Sequence, residues 1–242
     1  MPSAYLLVSH GSRDPRPEIA IQQLATLIKQ KLPSNNLLGT ATLELNTQPL
    51  HQQIQNFAKT ALTSGCKTLK IIPLFLLPGV HVMSDLPAEV KLAQTELHQD
   101  IIIELQPYLG SHHNLEKLLT QILIPIHAET IIVLAHGSRR PGSAQPVETI
   151  AQKLGGVAAY WSVSPSLEQK VQELVNAGYE KIGILPYFLF PGGITDAIAN
   201  SIEQLKLKFP QVNLQLAAPL GMNPKIVDII WDLATQEEQV FG

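Results

Sequence analysis

The tetrapeptide His-Gly-Ser-Arg occurs twice in this chain, and each copy heads a long matching segment. VSHGSRDPR runs from Val8 to Arg16, and LAHGSRRPG from Leu134 to Gly142. Downstream, SGCKTLKIIPLFLLPG (Ser64 to Gly79) aligns with AGYEKIGILPYFLFPG (Ala177 to Gly192) without a gap. Further on, Leu109-Gly110 matches Leu220-Gly221. Three landmarks in one order, roughly 110–125 residues apart, mark a tandem duplication rather than a short-period solenoid. Each copy has the size of an ordinary small domain. The boundary is expected within IPIHAET, Ile124 to Thr130, dividing the chain into domains 1–125 and 126–242.

Within each copy, apolar runs with strand character alternate with segments of helical periodicity. The first copy reads AYLLVS, PEIAIQQLATLIKQKL, LLGTATLEL, HQQIQNFAKTALTSG, KTLKIIPLF, PAEVKLAQTELHQ, IIIELQ and HNLEKLLTQIL. The second repeats the order from TIIVLA to KIVDIIWDLATQ. Alternating βα units with apolar strands imply a parallel sheet covered by helices on both faces. The expected fold class is therefore α/β, with two tandem parallel-sheet domains facing each other.

Hydrophobic residues make up 45% of the 242, enough for a sizeable core, and charged residues 15%. A net charge of −3 gives no basic surplus for nucleic acid. Cys66 is the single cysteine, so an intramolecular disulfide is excluded. MPSAYLLVSHGSR lacks the basic start of a signal peptide, and the run IIPLFLLPGV is broken by two prolines and a glycine. No membrane association and a cytoplasmic location are expected.

In an open parallel sheet, ligands bind at the carboxyl ends of the strands. His10 and His136 each follow the first strand of their copy. Pro78-Gly79 and Pro191-Gly192 lie beyond the third strand, with His81 in the first of these loops. Glu44 stands near the end of the second strand. His10, Glu44 and His81 are thus expected at one edge of one sheet. In the second copy Ile194 takes the place of His81, and VAAYWS offers no carboxylate opposite Glu44. Two imidazoles and a carboxylate suit a divalent first-row metal such as Fe²⁺, Co²⁺ or Ni²⁺. Neutral imidazole also accepts a proton near neutral pH. No HExxH, structural zinc spacing, Walker A or GxGxxG motif is present. His112-His113 is expected to be solvent-exposed at a helix start, and His51, His98 and His127 to be without partners.

LVSHGSRDP, the PLFLLPGVHVMSDLP loop and the two-copy length together resemble the class II chelatases. More narrowly, they resemble the long-form sirohydrochlorin ferrochelatase and cobaltochelatase family, over essentially the whole chain. The resemblance implies two flavodoxin-like domains around a central cleft. It implies a lyase that inserts a divalent metal into sirohydrochlorin without ATP or an organic cofactor. It implies that His10 and His81 handle the metal and accept protons, with Glu44 as their partner, and that the second copy is a degenerate, substrate-enclosing domain. The carboxylates of sirohydrochlorin give a use for Ser12, Arg13 and Arg139, with Pro78, Gly79 and His136 also on the substrate side. Fe²⁺ insertion to give siroheme is the leading expectation, since no His-rich tail or Cys motif accompanies the final Phe241-Gly242. Co²⁺ insertion for cobalamin is the alternative, and a non-catalytic tetrapyrrole or metal carrier is the alternative of another class. A histidine phosphatase would want Arg before the histidine, where Ser9 and Ala135 stand. With both copies in one chain, a monomer is expected.

Overall fold

The computed structural model describes residues 2–235. Phe241-Gly242, on which the leaning toward iron rests, and Gln236, the expected last residue of the final helix, lie outside the described residues.

The first copy folds as β1 (Ser3–Ser9), α1 (Pro15–Lys31), β2 (Leu37–Thr42), α2 (Leu50–Thr63), β3 (Thr68–Pro73), α3 (Leu86–Leu97), β4 (Ile102–Leu105) and α4 (Leu115–Leu123). The second follows as β5 (Thr130–Ala135), α5 (Gln145–Lys153), β6 (Val157–Tyr160), α6 (Leu167–Asn176), β7 (Lys181–Pro186), α7 (Gly193–Lys208), β8 (Asn213–Leu216) and α8 (Ile226–Thr235). The two four-stranded parallel sheets have orders β2-β1-β3-β4 and β6-β5-β7-β8. The expected α/β class and the duplication are therefore both present.

In the first sheet, Ala4, Leu6 and Val8 of β1 share a core with Leu50, Ile54 and Ala58 of α2 and Leu86 and Ala93 of α3. The residues between them, Tyr5 and Leu7, are also buried, because β1 is covered on both faces, as parallel strands must be. Asp14 starts α1 by accepting the Arg16 backbone N–H at 3.0 Å, an ordinary N-cap.

The compact units do not follow the expected division at 125/126. One unit comprises the chain up to Leu115 together with the segment from Lys225 onward, and the other comprises Glu116–Pro224. The last helix of each copy is thus exchanged. α8 packs on α1 and β3, burying Ile226, Val227, Ile229, Ile230 and Leu233. Glu116 of α4 pairs with Lys153 of α5 at 2.8 Å. Each helix carries an apolar stripe that suits either copy, so the stripe alone does not assign the helix to a sheet.

Candidate active site

β1 is buried along its length and stops at Ser9, so His10 emerges at the carboxyl edge of the first unit's sheet, half exposed. In the order β2-β1-β3-β4, the edge beside β1 and β3 is the topological switch point where doubly wound sheets bind ligands. Two backbone bonds carry the β1–β2 ladder past the strand ends. Leu43 N–H donates to the Ser9 carbonyl at 2.8 Å, and Glu44 N–H to the His10 carbonyl at 2.9 Å. β2 itself ends at Thr42, so Glu44 lies in the loop beyond the strand rather than within it. Gly11, at φ +98°, permits this closeness: a Cβ there would lie 2.2 Å from the Glu44 carbonyl oxygen. The next residue, Leu45, holds a left-handed φ of +57° and is 58% exposed, a conformation that costs leucine energy.

His81 comes from the loop after β3. Val82 and Met83 donate to the Gly79 carbonyl at 3.1 and 3.0 Å, which starts a helical turn. His81–Asp85 then forms a π-turn closed by Leu86 N–H on the His81 carbonyl. Wide turns of this kind recur at functional sites.

The three side chains converge. His10 Nε2 and His81 Nε2 are 3.2 Å apart, with the rings edge to face at 4.6 Å between centroids. A Glu44 carboxylate oxygen lies 3.9 Å from His10 Nε2, and the other 4.0 Å from His81 Nδ1. One potential ligand atom from each residue falls within 4.8 Å of the others, and theirs is the one such group of three among the described residues. Phe75 flanks both imidazoles at 6.4 Å.

The far side of each ring decides what the near side offers. His10 Nδ1 meets the Gly11 carbonyl oxygen at 3.3 Å. His81 Nδ1 meets the Asp85 carboxylate at 2.8 Å. Both partners are acceptors, so each contact favours the tautomer with the proton on Nδ1. In that tautomer pair the two Nε2 atoms, 3.2 Å apart, would both turn a lone pair into the gap between the rings. That opposition is relieved by a cation or by a shared proton. With metal–nitrogen bonds of about 2.1 Å, two nitrogens on adjacent coordination positions sit roughly 3 Å apart, so the spacing fits one metal ion.

The sequence did not single out Asp85 or Phe75. The signal for Asp85 is its place four residues after His81, on one side of a helical turn. Ser12 Oγ accepts the Asp14 N–H at 3.0 Å, Arg13 is exposed, and Pro78 and Gly79 form an exposed loop beside the His81 turn. His136 and Arg139 are exposed in the second unit. There, Trp161 N–H donates to Ala135 and Ser162 N–H to His136, both at 2.9 Å, repeating the first unit's register. Ser162 thus stands in Glu44's place, and its hydroxyl closes on the His136 carbonyl at 2.8 Å. Ile194 stands in His81's place, as the second residue of α7, which starts without a π-turn.

Two histidines depart from expectation. His112 is buried, its side chain 1% exposed. Its Nδ1 accepts the Asn114 N–H at 3.2 Å, and its Nε2 lies 3.9 Å from Asp232 of α8. Burial, then the neighbouring His113, pushes its pKa down from 6.5, with Asp232 opposing. The exchanged helix α8 supplies Asp232, a neighbour from the far end of the chain. His51 has a partner, pairing with Glu89 at 2.9 Å through Nδ1.

A family model described as CbiX matches residues 4–124 and again 130–237. A sirohydrochlorin cobaltochelatase of Priestia megaterium is 26% identical over 247 residues, covering 96% of this chain and 78% of its own. A sirohydrochlorin ferrochelatase of Bacillus subtilis (strain 168) is 22% identical over 239 residues, covering 93% and 88%. Among solved structures, SirB from Bacillus subtilis with Fe³⁺ superposes with a TM-score of 0.78 at 20% identity, covering 97% of this chain and 94% of that one. CbiX, described as the terminal enzyme for biosynthesis of siroheme in denitrifying bacteria, gives 0.61 at 22%, covering 97% and 100%. These superpositions establish the shared fold.

Proposed function

The chain belongs to the CbiX family, and from that premise we propose that it inserts Fe²⁺ into sirohydrochlorin to give siroheme. The observation that carries this reading is the pair of imidazole Nε2 atoms held 3.2 Å apart beside a carboxylate. His10 and His81 take the incoming metal ion on their Nε2 atoms. Borderline imidazole donors suit Fe²⁺ and bind it without closing its coordination sphere. Insertion forms metal–nitrogen bonds to the macrocycle and releases two pyrrole protons. His10, His81 and Glu44 are the groups at hand to receive them as the metal leaves the imidazoles. The metal is substrate, and the chemistry requires no organic cofactor.

Ser12 and Arg13 carry hydrogen-bond donors suited to the carboxylates of sirohydrochlorin. Pro78 and Gly79 form the adjoining substrate-side loop, and His136 and Arg139 are the substrate-side groups of the second copy. Co²⁺ insertion is the second reading, favoured by the cobaltochelatase match over 96% of the chain. No helix among the described residues is long and apolar enough to cross a membrane. A cytoplasmic monomer, an internal pseudo-dimer, completes the proposal.

The test is an anaerobic absorbance assay of sirohydrochlorin with Fe²⁺ and, separately, Co²⁺. Wild type, His10→Ala, His81→Ala and His136→Ala are compared. Loss of turnover is expected in the first two, and in the third turnover is retained with a raised KM for sirohydrochlorin; the faster metal names the physiological reading. Unchanged turnover in His10→Ala and His81→Ala overturns the site, and binding of sirohydrochlorin without acceleration by either metal points to a carrier.

A further inference from the structure

We propose that Asp85 is a positioning residue that makes His81 a metal-handling group, an inference that rests on the function proposed above. His81 Nδ1 and the Asp85 carboxylate are 2.8 Å apart. The carboxylate accepts the Nδ1 proton, so it sets the tautomer and the rotation of the ring together. Without it, the proton is free to move to Nε2, where it occupies the lone pair that faces His10. Glu44 does not substitute, because its nearer oxygen stands 4.0 Å from His81 Nδ1, beyond hydrogen-bond reach.

The backbone is arranged for this contact. The π-turn spans His81 to Asp85, the two partners themselves. In such a turn, residues four apart lie nearly above one another, which brings the carboxylate over the ring edge. The second copy of the unit serves as an internal control. Where His81 is replaced by Ile194, the helix starts as a regular α-helix. Four residues on, Ile198 is fully buried in the core. The wide turn and the carboxylate occur together in the copy with the second histidine, and both are missing from the copy without it. Asp85 is partly exposed, its side chain 41% accessible, and no other hydrogen-bond partner of its carboxylate occurs among the described side-chain bonds.

An orienting carboxylate behind a metal-binding histidine is worth 10–100-fold in metal affinity. The test is titration of the full chain with Co²⁺ alone, followed by the visible d–d absorption of the bound ion. Wild type, Asp85→Ala, Asp85→Asn and His81→Ala are compared, and circular dichroism confirms that each is folded. Asp85→Ala is expected to weaken Co²⁺ binding about 10–100-fold and to shift the d–d bands toward those of His81→Ala. Asp85→Asn, whose amide oxygen still accepts the Nδ1 proton, is expected to recover most of the affinity and the band positions. A structural role alone moves neither. Wild-type affinity and bands in Asp85→Ala overturn the role of Asp85 while leaving the metal site standing. Absence of a Co²⁺ spectrum in wild type overturns the metal site and the role of Asp85 with it.

Discussion

Replacing Gly11 with alanine tests whether chemistry depends on the close approach of two loops. The added Cβ would lie 2.2 Å from the Glu44 carbonyl oxygen, whereas real Cβ contacts essentially never fall below 3.0 Å. The Glu44 peptide must therefore retreat by about 0.8 Å, given those two distances. The Glu44 N–H, in the preceding peptide group, bonds the His10 carbonyl at 2.9 Å and is strained as the residue shifts. Misplacing a reacting group by about 1 Å costs roughly 100-fold in rate. The left-handed φ of +98° adds a stability cost of about 1–2 kcal/mol for alanine. Gly137→Ala is the matched control. It sits at φ +88° in the second HGSR turn, and its Cβ would meet Val163 and Tyr160 side chains at 2.7 and 2.8 Å. Both variants are expected to lower the melting temperature by similar amounts. Gly11→Ala alone is expected to lower kcat for metal insertion about 100-fold per folded molecule. The assay is single-turnover absorbance of sirohydrochlorin with Fe²⁺, normalised to folded protein by calorimetry. Equal kcat loss in both variants, or none in Gly11→Ala, would refute the reasoning.

Three further outcomes follow from the fold. Leu45→Gly exchanges a left-handed leucine, worth about 1–2 kcal/mol of strain, for the chain entropy of glycine, about 0.5–1 kcal/mol; thermal unfolding is expected to show a small rise in melting temperature, and a fall sinks the argument. Burial holds His112 below its ordinary pKa of 6.5, so unfolding takes up a proton. Its contribution to stability is present above about pH 6.5 and is lost as the pH falls below it. Melting temperatures measured from pH 8 to 5.5 are expected to fall more in wild type than in His112→Gln, and identical slopes contradict this. Ending the chain at Pro224 removes α8 and its five large buried apolar side chains, Ile226, Val227, Ile229, Ile230 and Leu233. At about 1.5–3 kcal/mol each, the loss rivals the whole stability of a domain. Hydrogen exchange is expected to show β1 and β3 unprotected while β5 and β7 stay protected; protection of β1 would show that α8 is dispensable.

The sequence by itself determined the duplication, the α/β class and the residues at the sheet's carboxyl edge. Those features are local or periodic: HGSR and PG mark the ends of buried strands, and parallel strands read as unbroken apolar runs. The absence of a second histidine from the second copy was legible too, since Ile194 faces His81 in an alignment that the chain makes with itself. Only the tertiary structure decided what depends on distance between segments far apart in the chain. An apolar stripe on α8 says that the helix is buried, but not under which sheet. Its docking on β3 buries His112, which a predicted helix start had placed in solvent. Likewise, sequence placed two histidines at one edge without showing their Nε2 atoms brought to 3.2 Å of each other. That depends on a turn widened by one residue and on Asp85 behind the ring, because a hydrogen-bond acceptor on one nitrogen dictates what the other can bind.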